Sequence, residues 1–123
     1  MKYCLVVDDV PDNLYITEKM LRAMGLKTIA VSSGERALSH CLLDMPTAIL
    51  LDISMPEMNG FQFLHKLHSI GGGRAVKVIM CTAHADIVNV KEAMRLGVSG
   101  FIAKPFKRTV LQSHLERLSI LKH

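Results

Sequence analysis

The chain has 123 residues, 50% hydrophobic and 21% charged. That length fits one domain burying roughly two-thirds of its unfolded surface, and the apolar content excludes a disordered chain. The net charge of +4 is scattered, with Lys107-Arg108 the one adjacent basic pair and no basic run interleaved with aromatics, which argues against direct nucleic-acid binding.

A strand is expected over Lys2 to Val7, ending at Asp8-Asp9. A helix from about Pro11 to Met24 follows, with Pro at its start and Gly25 just past its end. Leu14, Leu21 and Met24 share one face of it. Lys27 to Val31 is a short β-branched run. Ser32 and Glu35 then read as a capping box. The helix they open carries Leu38, Cys41 and Leu42 inward and stops near Pro46. Thr47 to Leu51 is an apolar strand covered on both faces, and Asp52 ends it. Asn59-Gly60 leads into a helix with Phe63, Leu64 and Leu67 on one side. Gly71-Gly72-Gly73 reads as a flexible loop before the strand Val76 to Cys81. Asp86 caps a helix ending near Leu96-Gly97. Gly100 to Ala103 is a fifth strand, and the last helix, about Lys107 to Leu121, groups Leu111, Leu115 and Leu118.

The order is βα, five times. It implies an α/β fold, a doubly wound parallel sheet with helices on both faces and right-handed crossovers. Ligands of such sheets bind beyond the carboxyl ends of the strands, at the switch in strand order. The polar residues there are Asp8 and Asp9 after the first strand, Asp52 after the third, Thr82 after the fourth and Lys104 after the fifth. Three neighbouring carboxylates repel one another, and a hard divalent cation such as Mg²⁺ removes that conflict. A carboxylate is also a competent nucleophile towards phosphorus. The metal, Lys104 and Thr82 would then hold the phosphoryl oxygens as charge develops.

The pieces Leu5-Val6-Val7-Asp8-Asp9, Leu50-Leu51-Asp52-Ile53-Ser54-Met55-Pro56-Glu57-Met58-Asn59-Gly60, Thr82-Ala83 and Lys104-Pro105-Phe106 carry a resemblance. In order and spacing the chain resembles the receiver domain of bacterial two-component response regulators, of the single-domain chemotaxis-regulator kind, over essentially its whole length. The resemblance implies the flavodoxin-like (βα)5 fold with strand order 2-1-3-4-5 and a single receiver domain over residues 1–123. It implies Asp52 as phosphoacceptor, taking its phosphoryl group from a phosphohistidine on a histidine kinase or histidine phosphotransfer protein. It implies Mg²⁺ held by Asp9, Asp52 and the backbone carbonyl of Ser54, with Asp8 acting through water. Lys104 would bind the phosphoryl group. Thr82 would move to bond it, and Phe101 would turn inward in response. Pro105 stands where the family often has a cis peptide. Ser54 and His84 occupy positions that tune the lifetime of the phosphoryl group. Phe101 departs from the tyrosine of many members, so it has no phenolic hydrogen bond to make. It reads equally as a plain core aromatic.

Output is expected as phosphorylation-dependent binding of a protein target, through the surface of the fourth helix, fifth strand and fifth helix. The upstream partner is expected near Asn13 to Thr17 and Pro105-Phe106. A phosphate sink and an unphosphorylated pseudo-receiver scaffold are the alternatives, although all five site residues are present. An aspartate-based phosphatase is disfavoured, because Asp8-Asp9-Val10 lacks a D-x-D pattern and there is no room for a cap domain.

Cys4, Cys41 and Cys81 are isolated in apolar segments and read as reduced, buried thiols. No apolar run spans a bilayer, and the first residues lack a signal peptide's length and cleavage site. A cytoplasmic location is expected. Met1 at the start and His123 just after the last helix suggest a complete chain without an output domain. His65 and His68 share a helix face without further ligands beside them, so that face reads as solvated rather than as a zinc site.

Overall fold

The computed structural model describes residues 3–122. Lys2, expected to open the first strand, lies outside them, as do Met1 and His123. Five strands, β1 (Cys4–Val7), β2 (Thr28–Val31), β3 (Ala48–Leu51), β4 (Lys77–Thr82) and β5 (Gly100–Ala103), form one sheet. All pairings are parallel, in the order β2-β1-β3-β4-β5. The helices are α1 (Pro11–Ala23), α2 (Gly34–Leu43), α3 (Gly60–His68), α4 (Ile87–Arg95) and α5 (Arg108–Arg117). The expected fold class and strand order are those observed.

The strands are apolar on both faces because both faces are covered. Leu5, Val7, Ile49, Leu51, Val78 and Met80 point into one core layer, with Phe63, Leu64 and Leu67 of α3. Cys4, Val6, Leu50, Ile79, Cys81 and Ile102 point into the other, with Leu21 of α1 and Leu111 and Leu115 of α5. Leu14, Met24 and Leu118 pack against that second layer. Burial pushes the thiols of Cys4 and Cys41 up to about 11 and that of Cys81 up to about 12. All three cysteines are free and stay protonated near neutral pH, hence poor nucleophiles.

Four local expectations need correction. Ser33, not Ser32, caps α2, its hydroxyl accepting from the Arg36 amide at 3.2 Å. Adjacent serines offer the same chemistry, and the helix begins one residue later than the capping-box spacing suggests. Leu42 is 68% exposed, and Ala37 takes the inward position on that helix beside Cys41. The last helix stops at Arg117, well before Leu121: Ser119 adopts a positive φ of 60°, and Ile120 and Leu121 fold back to bond the Leu115 carbonyl. The glycine triplet is not a loose loop. Gly73 is buried and starts a turn of 3-10 helix, Gly73–Ala75, where a Cβ would overlap the Leu67 carbonyl oxygen.

Among the described residues no helix is long and apolar enough to cross a membrane. Two histidines support the fold in their neutral form. Burial, then the charges of Arg74 and His65, holds His68 below the ordinary imidazole value of 6.5. Burial, then Arg117, does the same for His114. Arg117 Nη2 lies 3.1 Å from His114 Nδ1. The unfolded chain therefore binds protons more readily at these sites. Their stabilisation is full above the unfolded value and is lost as pH falls through the folded values. The urea midpoint is expected to fall between about pH 7.5 and about pH 5.5, and to fall less in the His68→Gln/His114→Gln double variant. An equal fall in both proteins would remove these histidines as the cause.

Candidate functional site: an acidic cluster at the sheet's switch point

The strand order reverses at β1. The chain leaves β1 towards β2 on one side and later returns to add β3 on the other. This is where doubly wound sheets open a crevice. Register then decides which residues meet in it. Val7 pairs with Leu51, and the Asp52 amide donates to the Val7 carbonyl at 3.1 Å. Asp8 and Asp52 are therefore level at the strand ends. Thr82 pairs with Ala103, and the Lys104 amide donates to the Thr82 carbonyl at 2.9 Å. The Lys104 side chain emerges one residue beyond that pair, and its peptide bond to Pro105 is cis.

Asp8, Asp9 and Asp52 each offer a carboxylate oxygen, and these oxygens lie within 4.8 Å of one another. Asp8 and Asp52 are buried. The Lys104 ammonium bonds Oδ2 of Asp8 and lies 3.5 Å from Oδ2 of Asp52. Oδ1 of Asp8 accepts from the Val10 amide at 2.9 Å, at the entrance to α1. Oδ1 of Asp52 accepts from the Ser54 amide at 3.4 Å. Asp9 differs: its Oδ1 is buried and has no hydrogen-bond partner among the described residues. One lysine faces three carboxylates, and one buried acceptor is left unpaired. An oxygen-seeking dication fits that donor set.

The other expected residues surround this cluster. Thr82 is fully buried, and its Oγ1 accepts from the His84 amide at 3.1 Å. Ser54 and His84 are exposed. Phe101 is half-buried and packs against the core layer that holds α3. Beside the cluster lies a groove of about 280 Å³, lined by Asn13, Ile16 and Thr17 of α1 and by Lys104, Pro105 and Phe106.

Two features escaped the sequence reading. Asn59 and Gln62 form a reciprocal capping box at the start of α3, with both bonds at 2.9 Å; the N-x-x-Q spacing was its signal. Gly60 sits against the backbone of Asp52 itself, where a Cβ would lie 2.5 Å from the Asp52 carbonyl oxygen. Only the Asn-Gly pair hinted at this close approach.

Comparison with known proteins gives a consistent picture. The DNA-binding response regulator MtrA of Mycolicibacterium smegmatis is 34% identical over 103 residues, covering 84% of this chain and 44% of that protein. The chain spans about half the length of such curated relatives. The receiver domain of the sensor histidine kinase PA1611 of Pseudomonas aeruginosa, solved with a magnesium ion coordinated in its active-site cleft, superposes with a TM-score of 0.87. It shares 32% identity, with 94% of this chain and 95% of that one covered. The chemotaxis protein CheY4 of Vibrio cholerae superposes with a TM-score of 0.89 at 25% identity, covering 95% and 98%. Residues 4–116 match the family model of the response regulator receiver domain, and the chain belongs to that family.

Proposed function

We propose that residues 1–123 act as a single receiver domain, phosphorylated on Asp52 in a Mg²⁺-dependent reaction. The observation that carries this reading is the strand-end cluster of Asp8, Asp9 and Asp52 facing Lys104, with a buried oxygen of Asp9 unpaired. The magnesium in the cleft of the PA1611 receiver supports it. Asp9, Asp52 and the Ser54 carbonyl would hold Mg²⁺, with Asp8 acting through water. When bound, the ion would offset the charge of the acidic cluster and of the phosphoryl oxygens.

The donor is a phosphohistidine of a histidine kinase or phosphotransfer protein, seated in the groove between α1 and Pro105-Phe106. A carboxylate oxygen of Asp52 attacks phosphorus. The P–O bond forms as the P–N bond breaks, and the imidazole nitrogen leaves with the electron pair and takes up a proton. Lys104 and the Thr82 hydroxyl donate to the phosphoryl oxygens, which carry the growing charge. In loss of the group, water attacks phosphorus and the Asp52 carboxylate departs with the bonding pair. Ser54 and His84 flank that path and set its rate. The domain thus catalyses only its own phosphorylation and dephosphorylation.

Phosphorylation adds about −1.5 to −2 charge and biases an existing equilibrium. Thr82 turns towards the phosphoryl group and Phe101 moves inward. The exposed apolar residues Ile87, Val88 and Met94 of α4 and Val110 of α5 belong to the face that then binds a protein target. The buried, protonated thiols suit a reducing cytoplasm.

Intact mass after incubation with acetyl phosphate tests the reading. Wild type is expected to gain one phosphoryl group only with Mg²⁺, and Asp52→Ala to gain none. After donor removal, His84→Ala should lose the group at a different rate from wild type. Equal gain in Asp52→Ala, or none in wild type, would reject the reading.

A further inference from the structure

The segment between Thr82 and α4 is tied down by a short relay of hydrogen bonds. The Thr82 hydroxyl oxygen accepts from the His84 amide at 3.1 Å. The His84 carbonyl accepts from the Asn89 side-chain amide at 3.0 Å. That same nitrogen donates to Oδ2 of Asp86 at 3.2 Å, while Oδ1 of Asp86 caps the helix by accepting from the Asn89 backbone amide at 3.0 Å. Both partners of the Asn89 side chain are acceptors, so its NH₂ group is the end that faces them. Residues 83–86 are exposed and belong to no helix or strand. With the Val90 amide bond to the Asp86 carbonyl at 3.0 Å, the relay ties them to the first turn of α4.

Asn89 is not needed to cap α4, because the Asp86 carboxylate bonds its backbone amide whatever the side chain. Its side chain instead reaches back five residues to the carbonyl of His84, the residue whose amide holds the Thr82 hydroxyl. We propose that Asn89 is a positioning residue, coupling the orientation of Thr82 to the first turn of α4. This rests on the receiver reading. When Thr82 turns its hydroxyl to a phosphoryl group, the His84 amide loses its acceptor. The backbone of His84, between its two peptides, is then free to turn. The Asn89 bond to the His84 carbonyl carries that movement to the helix, where Ile87 and Val88 are exposed.

The test compares wild type, Asn89→Ala and Asn89→Leu as full chains, with and without acetyl phosphate and Mg²⁺. Asn89→Leu keeps the approximate size and is the better helix former, but it has no N–H to donate. Intact mass reports phosphoryl uptake, and amide exchange reports residues 83–90. In wild type, uptake should change the exchange of this segment. In both variants uptake should persist. Exchange of the segment should be about tenfold faster before phosphorylation, the loss of one ordinary hydrogen bond, and should change little afterwards. A wild-type exchange response in Asn89→Leu would overturn the coupling, since a helix-stabilising role alone would survive that change. Loss of uptake in the variants alone would also overturn it, by placing Asn89 in the chemistry. Absence of uptake in wild type would reject the receiver reading, and the coupling with it; the mass measurement separates that case from the others.

Discussion

Lys104→Ala is expected to slow Mg²⁺-dependent phosphorylation of the chain roughly a hundredfold while tightening Mg²⁺ binding about tenfold. The two effects have opposite signs because Lys104 serves two charges. In the structure its ammonium bonds Asp8 and approaches Asp52 to 3.5 Å, so it offsets part of the charge that would otherwise attract a cation. Removing it leaves three carboxylates within 4.8 Å without their nearby counter-ion. In transfer, the same ammonium would face the phosphoryl oxygens, and losing a preorganised donor to developing charge is among the largest single losses in catalysis. The lysine side chain is about 12% exposed, so solvent screens these interactions little. Calorimetric titration with Mg²⁺ and the rate of mass gain from acetyl phosphate measure the two effects separately. Weaker Mg²⁺ binding in the variant would show that the lysine supports the cation site rather than opposing it. An unchanged rate would remove it from the transfer step.

Gly60→Ala is expected to destabilise the fold by about 1–3 kcal/mol, the usual cost of overpacking, and to slow phosphorylation of the folded protein about tenfold or more. The first residue of α3 rests on the strand end that carries Asp52. The Gly60 amide donates to the Ile53 carbonyl at 2.8 Å, and a Cβ would stand 2.5 Å from the Asp52 carbonyl oxygen and 3.0 Å from the Ile53 Cα. Those neighbours are backbone, so relief must come from moving α3 or the Asp52 main chain. Gly73→Ala is the matched comparison. A Cβ there would overlap the Leu67 carbonyl, away from the acidic cluster, so stability should fall while the rate per folded molecule holds. Urea unfolding and the rate of mass gain read the two outcomes. Equal slowing in both variants would mean that loss of stability, not displacement of Asp52, controls the rate.

The convergence of the candidate residues on one sheet edge was more legible in the sequence than many local details of the fold. Apolar strands ending in Asp8, Asp52, Thr82 and Lys104 needed only strand direction to be brought to one edge, and a parallel sheet supplies that direction. The pairing of Val7 with Leu51 and of Thr82 with Ala103 completes the alignment. The distribution of charge within the cluster was not legible. Lys104 contacts Asp8 more closely than Asp52, and a buried Asp9 oxygen goes unpaired; both depend on side-chain geometry. The misplaced details share a cause as well. Ser32 and Ser33 are chemically equivalent caps, and only the backbone decides between them. Leu118, Ile120 and Leu121 continue an apolar pattern after α5 has ended, because a folded-back tail can bury the same residues as another turn of helix. Gly73 lies in a run of glycines that reads as slack, yet it is needed for a close approach to Leu67. Asn89 carried a readable signal, three residues after the cap Asp86, but its reach back to the His84 carbonyl is a tertiary fact.

Locating the phosphoryl group tests the central claim most directly. The chain is treated with acetyl phosphate and Mg²⁺, any acyl phosphate is reduced with borohydride, and the peptides are sequenced by mass spectrometry. Reduction of an aspartyl phosphate leaves homoserine. The account predicts homoserine at position 52, with Asp8 and Asp9 intact. Homoserine at position 8 or 9, or a phosphoryl group recovered on a histidine while Asp52 is untouched, would contradict it.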